Sequence, residues 1–353
     1  MKKVEIFLKN LLLRLLLLLS KKKKRRSVVT EFDNKSKLLF IRLNRIGDAL
    51  VTTPLLKQIK EELKCNITVL AAKSNQFIFS NNPSVDNVLI FNKGIGGIFE
   101  VLRNIKEEKY DAVIDLHDDV STTVTYIMAL CSAENKFGLK KGNEIVYTKT
   151  IEKLDSEKYH VVDRILQLGK LFSLKPPSDD INIEYCPQKA SIEKMRKALS
   201  KRFETKKLLI GVNISAGSYA RFWGVDRFQK LLAFLANYDV NVIVICSPKD
   251  INLALQIVKN DSKKIIYSPS FDEFASVISS LDLLFTPDTS VIHLASAFRI
   301  PVFGLYVKFQ TKDMIWSPYR SDFDYIITEK YNLDEITFEQ TITKFKPFLE
   351  KNL

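Results

Sequence analysis

From Lys37 onward, short apolar runs alternate with stretches in which apolar residues return every three or four positions. That is the pattern of strands alternating with amphipathic helices, and so of an α/β protein with mainly parallel sheets. Apolar runs at 38–43, 67–71, 88–91 and 112–116 predict the strands of a first series. Between them, Val51, Leu55, Ile59 and Leu63 recur every fourth residue, which predicts one helix starting near Asp48. The segment Pro176-Pro177-Ser178-Asp179-Asp180 interrupts the alternation. A second series then follows, with strands predicted at 208–213, 240–246, 265–267, 283–285 and 302–306 and helices at 226–237, 250–259, 272–280 and 289–298. Two such series predict two Rossmann-like domains, 37–180 and 181–353, preceded by a leader, 1–36. In open α/β sheets ligands bind beyond the carboxyl ends of the strands, so a cleft between the domains is the expected site.

Charge changes this picture only at the amino terminus. The chain of 353 residues carries a formal +13. Residues 1–26 hold ten basic residues against one acid, leaving 44 against 40 for the rest. A basic face spread over a folded domain, the usual footprint of a nucleic-acid-binding protein, is therefore not indicated. The leucine run between Leu11 and Leu19, broken by Arg14, is about half the ~20 residues of a membrane-spanning helix. Six consecutive basic residues follow it, with no small-residue cleavage site, which disfavours a secretory signal. An anchor lying on an anionic membrane surface at the cytoplasmic face is the expected role, with a plain basic leader as the alternative. Four dispersed cysteines, Cys65, Cys131, Cys186 and Cys246, suggest neither a disulfide framework nor, with three histidines, a metal-ligand set.

No glycine-rich dinucleotide fingerprint or P-loop is present, so candidate chemistry lies in polar strand-to-helix turns. In the first, Asn44-Arg45-Ile46-Gly47-Asp48, Gly47 is expected to permit a tight turn. Asp48 reads either as a helix cap or as a general base for an acceptor hydroxyl. His117 and Asp118, after the fourth strand, read either as sugar contacts or as loop residues. In the second half, Ser215, Gly217, Ser218 and Arg221 form a small-residue loop with one cation, suited to phosphate oxygens or else a polar loop anchored by Trp223. Asp250 follows a further strand and reads as a ribose contact or a simple turn residue. Asp288, Thr289 and Ser290 open a helix where free amides favour an anion, Asp288 itself being expected as a cap or a structural residue, and His293 follows on that helix as a ligand contact or packing residue.

The segments IRLNRIGDALVTTPLLKQIK, YDAVIDLH, NISAGSYARFWGVDRFQKLL and FTPDTSVIHLASAFRIPVFGLY, in this order, resemble the heptosyltransferases of glycosyltransferase family 9 over about residues 37–330. The resemblance implies a GT-B fold with an acceptor-side domain followed by a nucleotide-sugar domain. It implies inverting, metal-independent transfer, ADP-heptose as donor, no further cofactor, and a lipopolysaccharide-core or related glycolipid acceptor. Asp48 matches the family's proposed base. Arg221, Thr289 and Ser290 match the groups that hold the donor diphosphate. Three positions depart: Ser290 stands where glycine is usual, Arg221 for lysine, and Gly224 for proline. A non-catalytic nucleotide-sugar- or glycan-binding module and a nucleotide-sugar epimerase are the alternatives on a similar fold.

Overall fold

The computed structural model describes residues 31–353. The leader expected to meet a membrane, residues 1–26, lies outside them. The chain divides into two compact units: one runs to Asp155 and includes Val161–Ile181, and the other comprises Ser156–His160 and Asn182–Leu353. Residues 31–36, assigned on sequence to the leader, pack into the first unit. Phe32 is buried, its ring 5.2 Å from that of Phe172 and 6.0 Å from that of Phe137.

In the first unit, β1 (Lys37–Arg42), β2 (Asn66–Ala72), β3 (Asn87–Phe91), β4 (Ala112–Asp115), β5 (Asn135–Lys140) and β6 (Lys149–Glu152) form one sheet ordered β3-β2-β1-β4-β5-β6. Every pair is parallel. The central β1 is buried from Leu38 to Arg42, as a strand covered on both faces must be. The strand order reverses between β1 and β4, so their carboxyl ends flank the place where open α/β sheets bind ligands.

The single helix predicted from Asp48 is two. One covers Ile46–Leu50, the next Thr53–Leu63 with Pro54 in its first turn. Proline lacks an N–H and is tolerated at a helix start but not inside one, which explains the break. The hydroxyls of Thr52 and Thr53 donate to the carbonyls of Ala49 and Leu50, satisfying groups the break exposes. Val51, Leu55 and Ile59 are still fully buried, as their spacing requires.

The second unit repeats the order. β7 (Leu209–Asn213), β8 (Asn241–Ile245), β9 (Ile265–Ile266), β10 (Leu283–Pro287), β11 (Val302–Val307) and β12 (Phe323–Thr328) form the sheet β12-β11-β10-β7-β8-β9, again all parallel. Its switch point lies between β7 and β10. Phe285 is central to the core, with ring centroids 5.5 Å from Trp223, 5.5 Å from Phe303 and 5.2 Å from Phe345. Each such fully buried side chain contributes about 1.5–3 kcal/mol. Phe345 comes from a terminal helix, Phe338–Lys351, that begins in a Thr337/Gln340 capping box.

Candidate functional site

In the first unit, the candidate residues follow β1. Arg42, the strand's last residue, has no exposed surface, so its donors must be met within the protein. Its Nε donates to the carbonyl of Asp48 at 2.8 Å, Nη1 to the carbonyl of Leu116 at 2.6 Å, and Nη2 to Asp48 Oδ1 at 3.2 Å. Burial lowers the guanidinium pKa, while the charges of Asp48 and Asp115 act to raise it. Arginine's high intrinsic pKa keeps it cationic.

Asp48 is no helix cap. The cap position is Arg45, which makes no side-chain cap bond, and Asp48 lies inside the first turn of Ile46–Leu50. Among the described residues, Arg42 is the side chain that engages its carboxylate, through Oδ1. The Asp48 side chain is 20% exposed, and its Oδ2 takes no hydrogen bond from those residues. Gly47 is buried inside the same helical turn, without the positive φ of a tight turn. Asn44 and Arg45 are exposed. Asn75 Nδ2 fixes this turn by donating to the carbonyls of Arg42 and Asn44.

His117 and Asp118 are occupied within the fold. His117 is buried, with Nδ1 2.7 Å from Asp115 Oδ1 and Nε2 accepting the Leu43 N–H at 3.2 Å. Asp118 pairs with the buried Arg164 at 2.8 Å and with Lys153 at 3.5 Å. Both side chains are thus engaged within the first unit, while Asp118 Oδ1 is buried and takes no hydrogen bond.

In the second unit, the candidate residues lie at the β7/β10 switch point. Asn213 bridges the two strand ends, its Nδ2 donating to Thr286 Oγ1 at 2.8 Å and to the carbonyl of Ser215. Ser215 and Asp250 meet directly: Asp250 Oδ2 accepts the hydroxyls of both Ser215 and Ser247. This ties the loop after β7 to the loop after β8. Gly217 and Ser218 are exposed at the loop tip. At Gly217 an added Cβ would meet nothing within 4 Å.

Arg221 ends a short 3-10 turn, Tyr219–Arg221, and its Nη2 stands 3.1 Å from Asp288 Oδ2. Burial raises the Asp288 pKa, an effect Arg221 partly opposes. Asp288 does not cap the following helix, Val291–Ala297; Thr289 Oγ1 instead accepts the Val291 N–H at 3.3 Å. Ser290 is the cap residue and makes no side-chain cap bond. His293 is buried, its ring 5.8 Å from Trp316 and its Nδ1 without a hydrogen-bond partner. Burial, and then the charge of His160, push its pKa down to about 3.

Trp223 is fully buried and donates its indole N–H to the carbonyl of Ile336. The next residue, Gly224, has φ +107°. Proline, with φ locked near ~−65°, cannot adopt it, so the glycine here is a backbone requirement of this chain.

The structure thus brings Arg221 to Asp288, Ser215 to Asp250 and Asp48 to Arg42. The last partner, Arg42, was missed in the sequence, although an arginine closing an apolar strand run was the available signal. Among the described residues, no group of three or more His, Cys, Asp or Glu is placed to hold a metal ion. The cation Arg221, the hydroxyl of Thr289 and the amides at the start of Val291–Ala297 together suit an anion.

Residues 98–344 match the model of glycosyltransferase family 9 (heptosyltransferase). The lipopolysaccharide heptosyltransferase 3 of Escherichia coli K12 is 24% identical over 290 residues, covering 77% of this chain and 82% of that protein. The lipopolysaccharide core heptosyltransferase OpsX of Haemophilus influenzae is 20% identical, over 76% and 78% respectively. Among solved structures, a family 9 glycosyl transferase from Veillonella parvula has a TM-score of 0.79 at 20% identity, covering 91% of this chain and 99% of that one. The E. coli heptosyltransferase WaaC with ADP has a TM-score of 0.67 at 17% identity, over 90% and 100%. These likenesses place the two units in the GT-B fold.

Proposed function

The chain belongs to glycosyltransferase family 9, the heptosyltransferase family, and from that premise we propose that it transfers a heptose from ADP-heptose to a lipopolysaccharide-core or related glycolipid. The transfer is inverting and needs no metal. The observation that carries this reading is the Asp48 carboxylate, fixed through Oδ1 by a fully buried arginine and open at Oδ2.

Oδ2 takes the proton of the acceptor hydroxyl as that oxygen bonds to the anomeric carbon. The bond from this carbon to the diphosphate oxygen breaks on the opposite face, and the electron pair leaves with ADP. Arg221, Thr289 and the amide of Ser290 meet the charge growing on the leaving oxygens. Arg221 then exchanges its partner Asp288 for the diphosphate, or shares it. Lysine-to-arginine replacement preserves the charge and adds a bidentate fork. The donor assignment draws on the relatives named as lipopolysaccharide heptosyltransferases and on the ADP in the WaaC structure.

Incubation with a panel of nucleotide sugars, with and without deacylated glycolipid, tests this. ADP release from ADP-heptose only when glycolipid is present is the expected result. Isomerised donor without acceptor, or no turnover of any donor, contradicts it. The basic leader, residues 1–26, is proposed to hold the enzyme on anionic lipid at the cytoplasmic face of the inner membrane. Removing it is expected to abolish cosedimentation with anionic vesicles and spare activity on a soluble acceptor; vesicle binding by the truncated chain refutes the assignment.

A further inference from the structure

One histidine joins the carboxyl ends of β1 and β4. The Leu43 amide can only donate and the Asp115 carboxylate can only accept, so the His117 ring between them carries its proton on Nδ1 and a lone pair on Nε2. Asp115 also accepts the His117 backbone N–H at 2.9 Å. Its other oxygen is fixed from the far side, by the Tyr147 hydroxyl at 2.7 Å and the Lys141 ammonium at 2.9 Å. Asn143 Nδ2 donates to Tyr147 Oη, and the Lys141 ammonium also reaches the carbonyl of His117. Asp115, His117, Lys141 and Tyr147 are all buried side chains.

This chain of bonds ends on the segment that carries Asp48. Leu43 lies between Arg42, which clasps Asp48, and the exposed Asn44-Arg45 turn. The backbone carbonyls there are held by Asn75, and the Leu43 N–H is held by His117. We infer that His117 is a positioning residue for the base: its neutral imidazole, oriented by Asp115, holds the Leu43 amide and with it the segment 43–48 from which Asp48 acts. The inference rests on the reading of Asp48 as the base. The charged groups facing the ring are Asp115, Lys141 and Arg42. Burial lowers the imidazole pKa, the adjacent Asp115 opposes this, and the two cations add to the lowering. The lone pair on Nε2 is thereby kept available at neutral pH.

Two replacements separate the two ring nitrogens. His117→Asn keeps a donor near Nδ1 and removes the Nε2 acceptor, whereas His117→Gln places an amide oxygen near Nε2. Hydrogen exchange of the full-length protein reads the clamp directly. Exchange at the Leu43 amide is expected to accelerate by about tenfold or more in His117→Asn and to stay near the parental rate in His117→Gln. In parallel, kcat falls by about 10–100-fold in His117→Asn with ADP affinity unchanged, and His117→Gln recovers most of it. Parental exchange and kcat in His117→Asn overturn the inference. With only three histidines in the chain, imidazole 15N spectra of the parental protein give a second test that needs no variant to fold. An Nδ1–H tautomer is expected, and a ring protonated on Nε2 at neutral pH overturns the inference. If Asp48→Asn retains parental turnover, the base reading fails by itself, while the exchange result still decides whether His117 clamps the segment.

Discussion

Arg42 grips Asp48 twice, its Nε holding the Asp48 carbonyl at 2.8 Å and its Nη2 the Asp48 carboxylate at 3.2 Å. One buried side chain thus fixes both the backbone and the side-chain orientation of the same residue. The proton removal proposed for Asp48 needs this, because misplacement by about 1 Å costs on the order of a hundredfold in rate.

Arg42→Lys keeps the charge but cannot make three divergent bonds from a planar fork. Leaving a buried carbonyl such as that of Leu116 unsatisfied costs about 1–3 kcal/mol. A lowered melting temperature and a kcat reduced by about 10–100-fold are expected, with ADP affinity by calorimetry unchanged. Parental kcat would show that Asp48 does not depend on this grip.

Arg221→Ala removes the cation proposed for the donor diphosphate and leaves Asp288, 3.1 Å away in the parent, without its counter-charge. Hydrogen bonds to charged groups are worth about 1.5–3 kcal/mol, so ADP affinity should weaken by about 10–100-fold in calorimetry. Unchanged affinity rules out a diphosphate contact.

His293 gives a pH signature. Its folded-state pKa is about 3 against the ordinary 6.5. Below pH 6.5 the unfolded chain binds a proton that the folded chain refuses, so stability falls as pH drops through this window, by up to about 1.4 kcal/mol per pH unit. His117, also lowered by burial, acts in the same direction. Urea denaturation of His293→Gln between pH 6 and 4.5 should show a shallower loss than the parent. An identical slope would mean that His293 takes up its proton in the folded state.

The wound architecture was legible because nine of the twelve strands among the described residues are apolar runs that parallel sheets must bury. The three that were missed, β5 (NKFGLK), β6 (KTIE) and β12 (FDYIIT), lie toward or at a sheet edge and carry polar residues there. In β5, the apolar fit is also hidden in Gly138, where a Cβ would strike the Tyr147 ring at 2.8 Å. The helix break before Thr53 was readable from Pro54, a helix-start signal that the fourfold apolar spacing obscured. Spacing singled out Asp48, Arg221 and Asp288 as candidates, but long-range pairing decided their neighbours. The Asp115–Tyr147 bond spans 32 positions and Arg42–Leu116 spans 74, distances over which sequence carries no local pattern. Charged residues inside apolar strands, Arg42 and Asp115, were the trace they left.

The most direct test of the account is turnover by Asp48→Asn with ADP-heptose and a deacylated glycolipid, following ADP release while calorimetry reports ADP affinity. The substitution keeps the side chain's shape and an oxygen for Arg42 but removes the base. Turnover should fall by about 10²–10⁴-fold with ADP affinity unchanged, and turnover at the parental rate would contradict the assignment of Asp48 as the base.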